Sequence, residues 1–283
     1  MRVRLFLMLC IAVFSFSCSD KDNVAIEPQL IIKFKFNSSQ EKSNNLGETS
    51  VIPSGFATQS PVFNTISAHY FELASNASTA IGNGMVLYKA PETMAGGDLA
   101  IDFSQAKIVG EDEIFLSIPL RQIPQGNYEY VRISLSYQNH DIAIRSNTED
   151  FTGTFESFVG YNTYINTHYI GNNSFPVNGN RLQGYWAFGL NGFPYATSGQ
   201  AVPTATSVSN SPIPSSSYII SGKFQNNLVI TNQENRNVYL TLSLFTNNSF
   251  EWKEVTSDGK YEPSIGEKVV GTRLRGFQPS FVR

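Results

Sequence analysis

The chain has 283 residues, of which 41% are hydrophobic, 13% aromatic and only 15% charged. It is too aromatic and too weakly charged for a disordered polymer, and its net charge of -3 argues against a nucleic-acid binder that works by neutralising phosphate. A chain of this length fits one large all-β domain or two smaller ones.

Residues 1–18 carry an export pattern. Arg2 and Arg4 form a short positive region, and Leu5 to Phe14 is an unbroken apolar run. That run has signal-peptide length and is too short to cross a bilayer as a helix. It ends in Ser15-Phe16-Ser17-Cys18 and resembles a bacterial lipoprotein signal, in which cleavage falls before an acylated Cys. Ser15-x-Ser17 also fits an ordinary secretory site, and both readings start the mature chain at Cys18. A third reading is a buried N-terminal strand.

Cysteine usage favours the lipid. The other Cys, Cys10, lies inside the apolar run, so the mature chain keeps one thiol at its first position and has no internal disulfide. Removing residues 1–17 takes Arg2 and Arg4 from the 20 basic residues and nothing from the 23 acidic ones. The remaining chain is therefore more acidic still, and it needs its lipid (palmitate or a similar acyl chain on Cys18) to stay on an anionic membrane. Residues 18–28 read as a polar, acid-rich tether.

From residue 29 onward the apolar spacing predicts strands. Period-2 or compact apolar runs cover Gln29–Asn37, Phe63–Leu73, Met85–Ala90, Leu99–Phe103, Ile114–Leu120, Tyr128–Tyr137 and Asp141–Arg145. They continue at Phe151–Val159, Tyr185–Leu190, Tyr218–Phe224, Leu228–Thr231, Val238–Phe245 and Phe250–Glu254. Gly96-Gly97 and Asn178-Gly179 reach positive φ cheaply and predict tight hairpins. A short helix fits only near Ala90–Met94. Asn191–Ser217, with Pro194, Pro203, Pro212 and Pro214 among small polar residues, reads as a long exposed loop. The expectation is an antiparallel two-layer β-sandwich over residues 29–283. Near residues 145–150 a boundary between two stacked lobes is an open alternative.

Two constellations suggest binding chemistry. Glu254, Thr256, Asp258, the Lys260 carbonyl and Glu262 place oxygens at alternate positions around Gly259. This resembles the first half of an EF-hand or dockerin calcium loop, although position 12 is Ile265 and the nearest acid is Glu267. The competing reading is an Asp258-Gly259 turn between strands. Tyr185 and Trp186, with Tyr161, Tyr164 and Tyr169, could instead supply a stacking platform for sugar rings, or simply fill the core.

No catalytic motif stands out. His69, His140 and His168 are scattered, and no nucleophile elbow, phosphate loop or H-E-x-x-H occurs. A carboxylate pair for glycan hydrolysis would be spatial and invisible in sequence.

Ser67–Leu73, Ile123–Tyr128 and Asp258–Pro263, together with the signal, resemble features of uncharacterised surface lipoproteins of the Bacteroidota. A fainter similarity is to the MbnP-like domain, a secreted β-rich fold whose members include copper binders. Met85, Met94 and three dispersed histidines are poor copper ligands, so that activity is not carried over. The resemblance implies an outer-membrane lipoprotein, facing the cell surface, with a β-rich fold. The reading is a non-enzymatic binding or structural protein of the envelope whose partner is a glycan or an envelope protein. A glycoside hydrolase is the alternative.

Overall fold

A computed structural model describes residues 27–40, 51–194, 196–201, 213–214, 217–231, 233–272, 274 and 276–283. Cys18, the export signal, most of the tether and much of the 191–217 stretch lie outside the described residues.

Among the described residues the chain is all-β, with three single-turn 3₁₀ segments and no α-helix. The strands are β1 (Gln29–Asn37), β2 (Phe56–Gln59), β3 (Val62–Ala74), β4 (Met85–Lys89), β5 (Glu92–Thr93) and β6 (Ala100–Asp102). Then come β7 (Ile114–Pro119), β8 (Gly126–Ser146), β9 (Glu149–Phe158), β10 (Asn162–Ile170), β11 (Asn173–Leu182) and β12 (Tyr185–Leu190). The last are β13 (Ala196–Gln200), β14 (Tyr218–Ile230), β15 (Val238–Phe245), β16 (Phe250–Lys253), β17 (Lys268–Gly271) and β18 (Phe277–Val282).

A seven-stranded sheet in the order β13-β12-β9-β8-β3-β4, with β14 also on β8, forms the spine. A second sheet, β18-β15-β1-β7, packs on it to make the sandwich. Alternating apolar residues explain the contact. Leu30, Ile32 and Phe34 of β1 and Leu240, Leu242 and Leu244 of β15 are buried with Ile66, Phe71, Ile133 and Leu135 of the spine. Phe34 meets Phe115 edge-on at 5.2 Å. A small sheet, β17-β16-β2, extends the cover, with Phe250 and Trp252 packed on Ile142 and Ile144. The β11-β10-β6-β5 sheet covers the spine's other face around Tyr137, Phe158, Ile165 and Tyr185, adding a smaller third layer. Two pairings are parallel, β1 with β15 and β6 with β10.

The 21-residue β8 organises the molecule. Through Leu135 its outer edge pairs with β14, and from Tyr137 it pairs with β9. Ser136 sits at the switch, where its carbonyl accepts from both Val159 N (3.0 Å) and Gly160 N (3.2 Å). The ladder to β3 shifts register there, as a bulge does. Inward residues are odd-numbered before the bulge (Val131, Ile133, Leu135) and even-numbered after it (Ile142, Ile144). The expected strands Tyr128–Tyr137 and Asp141–Arg145 are therefore one strand, bent rather than broken.

Other expectations need correction. Tyr218–Phe224 and Leu228–Thr231 join through a register shift into β14. The stretch read as a loop contributes β13, which pairs with β12. The β10–β11 hairpin was not expected. Residues 90–94 form no helix, because Glu92–Thr93 pairs with Ala100–Ile101 as β5. The Gly96-Gly97 hairpin closes that pair, with Gly97 at φ +98°. Asn178-Gly179 is a bulge inside β11, not a hairpin: Asn178 holds φ 47° while the register to β10 shifts. The stretch at residues 145–150 is the β8–β9 hairpin, so the chain stays in one sheet there.

Candidate functional site

The two faces of the spine carry different chemistry. On the face toward β17, three ladders align side chains in rows. Gln138, Ser157, Trp186 and Gly199 form one row across β8, β9, β12 and β13. His140, Phe155, Phe188 and Thr197 form the next, followed by Ile142, Gly153 and Leu190. Strand alternation puts all of these on one side.

Above these rows lies a cavity of about 680 Å³, roofed by Tyr261, the 3₁₀ turn at Pro263–Ile265 and β17. That volume is in the range of small-molecule sites. Val159 and Tyr218, at the fork where β8 exchanges β14 for β9, also line it. Aromatic rings dominate the wall. Phe155 and Trp186 stack at 5.7 Å with planes 17° apart, and Phe151 meets Phe193 edge-on at 5.9 Å. Two glycines make room for the rings. A Cβ on Gly153 would lie 2.4 Å from Phe188 Cε2, and one on Gly199 would lie 2.5 Å from Trp186 Cζ2.

Among the described residues, the only charged groups on the lining are Arg145 and Lys268. Arg145 is already paired in a fork with Asp150, at 2.7 and 2.8 Å. Among the described residues no carboxylate lines the wall.

One corner is polar and, among the described residues, uncharged. Ser157 Oγ approaches Thr272 Oγ1 at 3.5 Å. Gln138 is fully buried and donates through Nε2 to the Thr272 carbonyl, while its Oε1 has no partner. Next to it on β8, His140 is fully buried with both ring nitrogens unpartnered. It lies among Phe63 (5.0 Å), Phe155 (5.6 Å) and Phe250 (6.4 Å). Burial without a counter-charge pushes its pKa down to about 3, so the ring is neutral.

The opposite face holds buried polar clusters. Glu156 accepts from Tyr137 OH at 2.5 Å and Asn139 Nδ2 at 3.2 Å, and it lies 2.7 Å from His168 Nδ1. Burial raises the Tyr137 phenol well above its usual range, and the Glu156 charge adds to this. Glu92 accepts from Tyr161 OH (2.7 Å) and Lys89 Nζ (2.9 Å) and meets His69 Nε2 at 3.1 Å. Burial opposes ionisation of Glu92, but the bonds from Tyr161, Lys89 and His69 prevail and hold its carboxyl low. Burial likewise lowers His69, against the pull of Glu92. Glu72 accepts from Gly82 N (3.0 Å) and Gly84 N (2.6 Å), near Arg132. The Glu156 and Glu92 clusters join the β5-β6-β10-β11 layer to the spine, with Glu156, His168, Tyr137 and His69 buried.

The structure separates most of the residues singled out in sequence. Tyr185 and Trp186 project from opposite faces of β12. Tyr185 is buried against Phe158 and His168, while Trp186 faces the cavity. Tyr161 is buried beside Glu92 and Tyr169 is 64% exposed. No platform therefore combines them with Trp186. The three histidines sit apart, and among the described residues no group of three or more His, Cys, Asp or Glu is arranged to hold a metal.

In the 254–262 loop the carboxylates serve the loop's own amides. Glu254 Oε1 accepts from Gly259 N (2.7 Å), and Asp258 Oδ1 from Lys260 N (3.0 Å). Glu267, the acid two positions beyond the motif, is buried and accepts from Val255 N (3.0 Å) and Glu262 N (2.7 Å). Gly259 takes φ +72°, as a turn requires. The Thr256 carbonyl accepts from Asp258 N at 2.9 Å.

Phe151, Phe155, Ser157 and Thr272 were not singled out in sequence. The available signal was strand alternation, which puts Phe151 and Phe155 on one face of β9 and Trp186 and Phe188 on one face of β12. No family model, curated protein or solved structure matches this chain.

Proposed function

We propose that this chain is a ligand-binding protein of the bacterial cell envelope, anchored through a lipid on Cys18, that takes an apolar-bodied ligand into the cavity over Trp186. The observation that carries the reading is the ring-walled space of about 680 Å³ between the spine and β17. Binding pockets have this character, a mostly apolar wall with a few placed polar groups. A lining free of acids among the described residues favours binding over hydrolysis. The scarcity of planar polar side chains on the wall favours an apolar body over a sugar ring. The anchor rests on the sequence around Cys18.

The test is titration with N-phenyl-1-naphthylamine, a neutral apolar dye that fluoresces when shielded from water. Saturable binding that Trp186→Ala weakens about tenfold is the expected result. Absence of binding, or binding unchanged by Trp186→Ala and Phe155→Ala, would overturn the reading. A glycan array run beside it tests the sugar alternative.

A further inference from the structure

Strands β10 and β11 form a hairpin at one edge of the third layer, and strand alternation divides its side chains between two sides. The side toward the spine is buried: Ile165, His168 and Ile170 are closed in, and Phe175 stacks on His168 at 4.9 Å. The other side presents Tyr164, Asn166 and Tyr169 from β10 and Ser174, Pro176 and Asn178 from β11. Tyr164 is half-buried and the other five are exposed.

This outward side has no charge of its own. From Asn162 to Leu182 the one Lys, Arg, Asp or Glu is Arg181, which turns inward and lies 5.3 Å from the Tyr185 ring. Asp102, opposite Tyr164 on β6, is occupied by Ser104 N (3.1 Å) and Gln105 Nε2 (3.0 Å). The whole chain has 20 basic and 23 acidic residues, so an exposed hairpin side without one of them is a departure from the rest of the sequence. Protein partners and anionic polymers are steered and registered by charge. The electrostatic complement of an uncharged polar surface is an uncharged polar ligand.

The side chains present fit a sugar chain. A tyrosine ring offers an apolar face with a polar tip, and amides and hydroxyls both donate and accept. Asn162 and Asn180 donate to the carbonyls of Leu99 (3.0 Å) and Asp98 (3.1 Å) and so serve the fold, whereas Asn166 and Asn178 stand exposed. Tyr164 and Tyr169 lie five residues apart on β10, roughly 16 Å at about 3.3 Å per strand residue, so a ligand that meets both rings is an oligomer. Addition of a protein strand along β11 is disfavoured, because Pro176 has no N–H and the ladder shifts register beside Asn178, at φ 47°.

We propose that the outward side of β10 and β11 docks a neutral polysaccharide, with Tyr164 and Tyr169 stacking on sugar rings and Asn166, Ser174 and Asn178 bonding their hydroxyls. Trp186 and the cavity lie on the other face of the spine, so this site stands independently of the reading above.

The experiment is native affinity electrophoresis of the purified protein in gels containing starch, galactomannan, xyloglucan, mixed-linkage β-glucan or polygalacturonate. At least one of the four neutral polymers should retard the protein, with no loss of retardation in 0.5 M salt as about the strongest screening used. Tyr164→Ala combined with Tyr169→Ala should weaken that retardation about tenfold, while Trp186→Ala leaves it unchanged. Tyr169→Ala alone, at the more exposed of the two positions, should weaken it in the same direction. Retardation by none of the neutral polymers, or by polygalacturonate alone, overturns the proposal. So does retardation that survives both tyrosine variants or disappears in Trp186→Ala. Self-association in sedimentation velocity that the tyrosine variants abolish, without neutral-polymer binding, would assign the surface to a second copy of the chain instead.

Discussion

Gly199 lies directly across the β12–β13 ladder from Trp186, and a methyl group on it would stand 2.5 Å from the indole Cζ2. The position of the indole, and with it the width of the cavity, depends on a side chain that is not there. Gly199→Ala must push the ring off its stack with Phe155 or bend β13. The expected cost is about 1–3 kcal/mol, as for other overpacked sites. Dye affinity should fall, with a shift in the emission of Trp186, one of only two tryptophans in the chain. A variant with unchanged emission and affinity would contradict this account.

His140 gives a pH prediction. Its folded pKa of about 3 lies below the ordinary 6.5, so the unfolded chain takes up a proton that the native state refuses. Its penalty is absent above pH 6.5 and grows as pH falls from 6.5 toward 3, by up to about 1.4 kcal/mol per pH unit. His140→Leu is close in volume and removes two unpartnered nitrogens. It should be at least as stable at pH 7.5, and its urea midpoint should fall less steeply between pH 6.5 and 4. Parallel pH profiles for the two proteins would refute the assignment.

Glu156 binds β8, β9 and β10 through Tyr137, Asn139 and His168. Glu156→Ala leaves these buried partners unsatisfied and should cost about 3–5 kcal/mol in chemical denaturation. Glu156→Gln keeps an acceptor and the shape, so a smaller loss is expected. Dye binding in the folded fraction should persist, because the cluster faces away from the cavity.

Glu267 closes the loop that roofs the cavity. Glu267→Gln turns one acceptor into a donor facing an N–H, at a cost of about 1–3 kcal/mol. The loss should be the same in EDTA as in millimolar calcium, if closure depends on amides alone. A loss seen only with calcium present, and shared by Asp258→Asn, would instead make the loop a cation site.

Cys18→Ala should shift the protein from the membrane fraction to the soluble one and abolish palmitate labelling, since no other strong membrane attachment is legible in the sequence. Unchanged fractionation of that variant would rule out the anchor.

Strand alternation in β12 and β15 was legible because period-2 burial is written locally. The separation of Tyr185 from Trp186 was legible too: neighbours on a strand face opposite sides. The continuity of β8 through Ser136 was not, since it depends on the amides of Val159 and Gly160, more than twenty residues away in sequence. Nor was the role of Glu254 and Glu267, whose carboxylates have the composition of a metal loop but turn onto backbone N–H groups.

By itself the sequence determined the all-β class and most of the strand segments, because each is fixed by the order of neighbouring residues. Only the tertiary structure decided where the cavity lies and which rings line it. These depend on which strands become neighbours, and ladder pairing is set by contacts between residues far apart in the chain.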